Sequence, residues 1–225
     1  MYLPSMTYPD IRPFQAHYLK APRKFRPIEN QVVENHPVCL EIGAGKGKHA
    51  CLFASHHPNL QLIAVERTAE KYQAMQKSQR EAGLENLTTI HADAIPWVVH
   101  ALYPAQLQQI FLLYPNPEPH NSTQRWLNMP FFEYLLSRLQ IGGTITLASN
   151  IVEYIAEAVE QLEQVWKLPF EVQTIPQDSA RTHFEIKYLE RGELCQQIII
   201  TKPQGYQTRF DDVPPRLGQD NDNKA

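Results

Sequence analysis

Three carboxylates end or follow short apolar runs in the first half of the chain: Glu41, Glu66 and Asp93. The first opens Glu41-Ile42-Gly43-Ala44-Gly45-Lys46-Gly47, a glycine-spaced turn between an apolar run and a helical pattern. Glycines spaced this way allow a tight turn and close backbone approach to a ligand at the carboxyl end of a strand. A carboxylate at Glu66 can accept from ribose hydroxyls, and one at Asp93, followed by Ala94, can receive an adenine amino group. Glu41, beside the turn, can hold a cationic amino group through backbone or water contacts. A pyrophosphate gains nothing from that acidity, so the set points to S-adenosylmethionine rather than NAD, with Glu41, Gly43, Gly45, Glu66, Asp93 and Ala94 as the cofactor contacts. Singly, each carboxylate also reads as a surface residue, and glycine turns are common at helix starts; the assignment rests on their agreement.

The positioning elements follow from apolar runs alternating with helical periodicity. Strands are expected at 38–42, 60–65, 87–91, 109–113 and 144–148, with helices at 48–56, 69–82, 95–102, 131–139 and 152–166. The 131–139 helix is expected to close on Gly142-Gly143. Two late strands, 170–175 and 195–200, are separated by residues 176–194, which receive no element. This is the order of an α/β doubly wound sheet. By analogy of fold, an antiparallel final pair makes it a Rossmann-like class I S-adenosylmethionine-dependent methyltransferase: a seven-stranded mixed sheet with helices on both faces. Residues 1–36 read as an extended arm with a short helix near 29–35, residues 37–203 as the domain, and residues 204–225 as a polar, acidic, disordered tail.

Opposite the cofactor segment, the fourth strand delivers Tyr114-Pro115-Asn116-Pro117-Glu118-Pro119. Tyr114 and Pro115 can wall a flat ring and Asn116 can orient it with its amide; a rigid proline-rich turn is the plainer alternative. Arg181 can meet a phosphate or carboxylate. His120 and His183 are expected at the surface, and His56-His57 at a helix end.

The chain resembles the tRNA (guanine-N7-)-methyltransferase family over roughly residues 37–203. The resemblance rests on the glycine turn, Val65-Glu66, Gly83-Leu84-Glu85-Asn86-Leu87, Ala92-Asp93-Ala94, Phe111-Leu112-Leu113-Tyr114-Pro115-Asn116-Pro117, Leu139-Gln140-Ile141-Gly142-Gly143, Ala148-Ser149-Asn150 and Thr182-His183-Phe184-Glu185. It implies that Thr182 and Glu185, with Tyr114 and Arg181 nearby, contact a target guanine, that Asn116 and Asn150 stand at the catalytic positions, and that S-adenosylhomocysteine is the product, with no metal. The chain departs from the family where Phe-Pro-Asp-Pro-Trp and a basic stretch are usual: Asn116 replaces an aspartate, Glu118 a tryptophan, and Asn150 a second aspartate.

Net charge is -3 and the pI near 6.3, whereas phosphate binding favours a basic surface. tRNA is therefore expected to meet a local patch formed by residues 20–26, Lys48, Arg125, Arg181 and Lys187. The readings kept beside tRNA methylation are transfer to another nucleobase or small molecule, and a non-catalytic RNA-binding relative. Cys39, Cys51 and Cys195 lack metal spacing. With no signal peptide and no long apolar stretch, a cytoplasmic protein, monomer or homodimer, away from membranes is expected.

Overall fold

The computed structural model describes residues 9–28 and 37–219. Seven strands form one sheet: β1 (Val38–Ile42), β2 (Gln61–Glu66), β3 (Leu87–His91), β4 (Leu107–Leu113), β5 (Leu139–Ser149), β6 (Phe170–Thr174) and β7 (Gln196–Thr201). Their order is β3-β2-β1-β4-β5-β7-β6. The first five are parallel, and β7 lies antiparallel between β5 and β6. Strand order reverses between β1 and β4, and at such a switch point a crevice opens beyond the carboxyl ends of the strands.

Among the described residues six α-helices cover the sheet: α1 (Lys48–His56), α2 (Ala69–Glu81), α3 (Ala94–Ala101), α4 (Phe131–Arg138), α5 (Val152–Gln161) and α6 (His183–Glu190). The strand period of two sorts the core into two faces. Leu40, Val65, Ile110 and Leu147 pack with Val98 of α3, Leu135 of α4 and Ile155 of α5. Cys39, Ala64 and Phe111 pack with Ala50 of α1, Met75 of α2 and Leu189 of α6. Strands buried on both faces read as continuous apolar runs, and β1, α1 and β3 fall on their expected bounds.

Several elements differ from expectation. Residues 176–194 contain α6, which was not anticipated. β5 starts at Leu139, directly after α4, and runs through Gly142 and Gly143, with a register shift against β4. The glycines serve that irregularity rather than a helix stop, since a Cβ on Gly143 would lie 2.8 Å from the Gln108 carbonyl oxygen. The expected helix 152–166 ends in a π turn, Leu162–Trp166, closed by Lys167 at φ +52°.

The expected short helix near 29–35 lies outside the described residues. Residues 9–28 dock on the α3/α4 side, where Phe14 meets Phe131 and Tyr134 at 5.2 and 5.4 Å between ring centroids. The tail expectation is corrected as far as residue 219. Arg209 pairs with buried Glu133 and Arg216 caps the carbonyls of Ala16, His17 and Leu19. Buried Arg138 donates to the carbonyls of Phe210 and Val213. A composition polar enough to suggest disorder is here spent on satisfying buried carboxylates and carbonyl groups.

The glycine turn is held between β1 and α1. Gly47 sits at φ +81°, and a Cβ there would lie 2.5 Å from Cγ and 2.9 Å from Cβ of Met75. Gly47→Ala therefore combines left-handed backbone strain with a clash against buried Met75 in the middle of α2. It is expected to destabilise the fold by about 2–4 kcal/mol, read as a lower midpoint in urea unfolding.

Candidate functional site

A cleft of about 630 Å³ opens beyond the carboxyl ends of β1, β2, β3, β4 and β5. Gly43, Glu66, Asp93 and Ala94 line one half; Tyr114, Asn116, Glu118 and Asn150 line the other. Gly43 has φ +76° with open space where a Cβ would stand.

Glu66 organises the first half. Its Oε2 accepts from the Gly45 amide at 2.9 Å and its Oε1 from the Thr68 amide at 2.6 Å. One buried carboxylate thus ties the glycine turn to the start of α2, and each oxygen keeps a lone pair for a further donor. Asp93 is the N-cap of α3, accepting from the Ile95 amide at 3.0 Å. The first turn of α3 carries Pro96, tolerated where the amide has no helical partner. Gly45 acts through its amide to Glu66 and is absent from the cleft lining.

Glu41 is differently placed from its expected position. β1 turns its side chain to the α1 face, where it is 3% exposed and meets His49 Nδ1 at 2.9 Å. It does not line the cleft. A strand residue and a residue in the first turn of the following helix meet naturally once the intervening glycine turn folds back, and the pair braces that turn from beneath.

The second half is built on strain. Tyr114 has φ +51°, a left-handed conformation uncommon for a bulky residue. Its amide donates to the Ala148 carbonyl at 2.8 Å and its hydroxyl to Glu185 Oε2 at 2.8 Å, which together hold it. Burial first, then hydrogen bonds with Cys195 and Glu185, pushes its phenol pKa far up. Asn116 is exposed and accepts through Oδ1 from the Glu118 amide at 3.3 Å, an Asx turn. Asn150 lines the cleft and donates to Glu193 Oε2 at 2.6 Å.

Arg181, Thr182 and Glu185 come together but turn inward. Thr182 is the N-cap of α6, its hydroxyl accepting from the Glu185 amide at 2.9 Å. The Glu185 side chain is fully buried. Its Oε1 accepts from Ser179 Oγ at 2.5 Å and the Arg181 amide at 3.2 Å; its Oε2 accepts from Tyr114 and from Arg181 Nη2 at 2.8 Å. Burial alone would raise this carboxyl, but the bonds from Arg181 and Ser179, the Arg181 charge and Tyr114 hold it below its ordinary value. None of the three residues lines the cleft.

Of the expected basic patch, Lys20, Arg23, Lys24, Arg26 and Lys187 are exposed and Lys48 is half-buried. Arg125 is committed elsewhere. It pairs with Glu157, stacks over Tyr154 at 5.3 Å and donates through Nε to the Pro117 carbonyl at 2.8 Å. No residue of 9–28 lines the cleft. Among the described residues, no group of three His, Cys, Asp or Glu could hold a metal ion, and no helix is long and apolar enough to cross a membrane.

The family described as "Putative methyltransferase" matches residues 35–197. A tRNA (guanine-N(7)-)-methyltransferase of Nitrosospira multiformis is 31% identical over 174 residues, covering 75% of this chain and 76% of the relative. The chain belongs to the tRNA (guanine-N7-)-methyltransferase family. A tRNA (guanine-N(7)-)-methyltransferase of Thermus thermophilus is 28% identical over 158 residues, 69% of this chain, and this chain spans only about half of it (51%). The fold is that of S-adenosylmethionine-dependent methyltransferases: the 16S rRNA (adenine(1408)-N(1))-methyltransferase of Catenulisporales acidiphilia superposes with a TM-score of 0.61 at 14% identity, over 84% of this chain and 99% of that one.

Within this methyltransferase family member, several cleft residues escape a reading by motif. Arg67 and Lys71 bring positive charge to the cofactor half. Phe184 and Tyr188 line the opposite half with rings 6.1 Å apart and nearly parallel at 18°. Their spacing of four on one helix face is the signal that would have found them, had α6 been recognised.

Proposed function

We propose that this chain transfers a methyl group from S-adenosylmethionine to N7 of a guanine in tRNA, in the variable loop. Family membership over most of the domain carries the reading. The chemistry of the cleft agrees: its first half offers acceptors for hydroxyl and amino donors, and its second half offers aromatic walls for a base.

In this reading Gly43, Glu66, Asp93 and Ala94 hold the cofactor, with Gly45 acting through Glu66. Glu66 accepts from the ribose, and Asp93 and Ala94 border the adenine. Glu41 supports the turn rather than the cofactor's amino group. The bound cofactor supplies a methyl group on a sulfonium sulfur. Guanine N7 carries a free lone pair and no proton, so no general base is needed, and positioning with electrostatics carries the reaction. Tyr114 walls the base, with Phe184 and Tyr188 on the same side. Asn116 and Asn150 are neutral, and each offers amide donors and an acceptor rather than a charge. Arg181, Thr182 and Glu185 fix the wall by fixing Tyr114.

A second reading, transfer to another nucleobase or a small molecule, draws on the inward commitment of Arg125 and Arg181, which leaves fewer cations for phosphates. The experiment is transfer of labelled methyl from S-adenosylmethionine to unmodified tRNA, followed by digestion to nucleosides. Labelled 7-methylguanosine is the expected product. Label in another nucleoside, or tight cofactor binding with no transfer to tRNA, would favour the second reading.

A further inference from the structure

We propose that Glu118 is the carboxylate that recognises the Watson–Crick edge of the target guanine. The inference rests on the guanine reading above and deepens it.

A guanine whose N7 faces the cofactor presents its N1–H and N2–H donors to the opposite side, where a carboxylate is the natural partner, accepting two parallel bonds. Glu185, the carboxylate that the family resemblance points to, cannot serve. Its side chain is fully buried, Arg181, Ser179 and Tyr114 occupy both its oxygens, and it does not line the cleft. Of the acidic residues that do line it, Glu66 and Asp93 belong to the ends of β2 and β3, where the cofactor sits. Both already accept from backbone amides there. Glu118 is the remaining one, on the loop that follows β4.

That loop presents Glu118 deliberately. The Asn116 side chain accepts from the Glu118 amide, and Glu118 adopts φ +46°, a conformation that a glutamate does not take without a local constraint. Arg125 clamps the neighbouring Pro117 carbonyl and is itself anchored to Glu157. Among the described residues no hydrogen bond or ion pair engages the Glu118 carboxylate, whose charge is felt by the Tyr154 phenol. A loop tied by the Asn116 turn and by Arg125 therefore carries a half-buried carboxylate without a hydrogen-bond partner into the substrate half of the cleft. Asn116, assigned above to the base itself, acts in this arrangement first by setting the turn that presents Glu118.

The test compares wild type, Glu118→Gln and Glu118→Ala on a tRNA transcript and on the same transcript with inosine in place of the methylated guanosine. Inosine keeps N7 and N1–H and lacks the N2 amino group. Wild type is expected to lose roughly 10- to 100-fold in kcat/KM on inosine, the range of a bidentate base contact. Both variants are expected to fall by a similar factor on guanosine and to treat the two transcripts nearly alike, with unchanged cofactor affinity and melting temperature. Variants that keep wild-type discrimination, or that lose rate without losing discrimination, overturn the proposal. A wild-type protein that forms no 7-methylguanosine overturns the guanine reading itself, and the proposal with it.

Discussion

Replacing Glu66 with alanine is expected to raise the dissociation constant for S-adenosylmethionine about 100-fold or more, with the sheet still folded. The carboxylate has two structural duties, to the amides of Gly45 and Thr68, and one proposed duty, to the ribose. A hydrogen bond to a charged group is worth about 1.5–3 kcal/mol. Losing the ribose contact at that strength, and loosening the turn that shapes the cleft, gives about 3 kcal/mol, which is about 100-fold. Glu66→Gln separates the contributions. It keeps the shape, but its NH₂ must face one of the two amides, donor against donor, so a smaller loss of about 10-fold is expected. Titration of S-adenosylmethionine by calorimetry, with a thermal melt of each variant, measures both. An alanine variant that binds as wild type would mean that Glu66 serves only the turn and that other groups hold the ribose.

The parallel part of the sheet was legible because physics writes it strongly. β1 and β2 are buried along their whole lengths, so their sequences are apolar nearly throughout, and the glycine turn and proline breaks mark their limits. The helix α6 was missed because its sequence, His183 to Glu190, is mixed in polarity and only Glu185 and Leu189 are buried. Its start was nonetheless written in Thr182 and Glu185, a Thr-x-x-Glu spacing that signals an N-terminus.

Positions of carboxylates in the chain were a sound guide to the strand ends but a poor guide to what each carboxylate does. Glu41 lies one residue before the end of β1 and Glu66 ends β2, yet alternation along β1 sends Glu41 to His49 while Glu66 faces the glycine turn and the start of α2. No single-residue pattern distinguishes them without knowing which face α1 covers. The tail misled for a related reason. Arg209 reads as surface charge until Glu133, buried inside α4, is seen to need a partner 76 residues away in sequence. A long-range ion pair leaves no local periodicity.

The same reasoning makes Arg181 the position where a single substitution should do most damage to the site. Arg181→Ala removes the guanidinium, whose Nε and Nη2 make three hydrogen bonds to a fully buried carboxylate, leaving Glu185 with the hydroxyls of Ser179 and Tyr114 and the backbone amide of residue 181. An uncompensated buried charge costs about 3–5 kcal/mol, which for a protein of this size lowers the melting temperature on the order of 10 °C. Glu185→Gln is expected to cost less, about 1–3 kcal/mol, because Arg181 is 28% exposed, can turn to water, and keeps Gln197 as a partner at 2.8 Å. The pH dependence separates this account from simple loss of packing. In the wild type, the folded-state pKa of Glu185 lies below its ordinary value of 4.5, so the stabilisation is fully present above pH 4.5 and fades as pH falls through the folded value. In Arg181→Ala, burial dominates and the folded pKa rises above 4.5, so protonation on acidification relieves the variant. The gap between wild type and variant is therefore expected to be full above the variant's raised folded value, to shrink as pH falls through it, and to go on shrinking below pH 4.5 as the wild type loses its own stabilisation, measured by urea unfolding across that range. A gap that stays constant would assign the loss to packing of the Arg181 stem. Because Tyr114 holds its left-handed backbone against Glu185, the variant is also expected to lower kcat for methyl transfer at temperatures where it remains folded, while cofactor affinity, set at the far end of the cleft, stays within a few-fold of wild type.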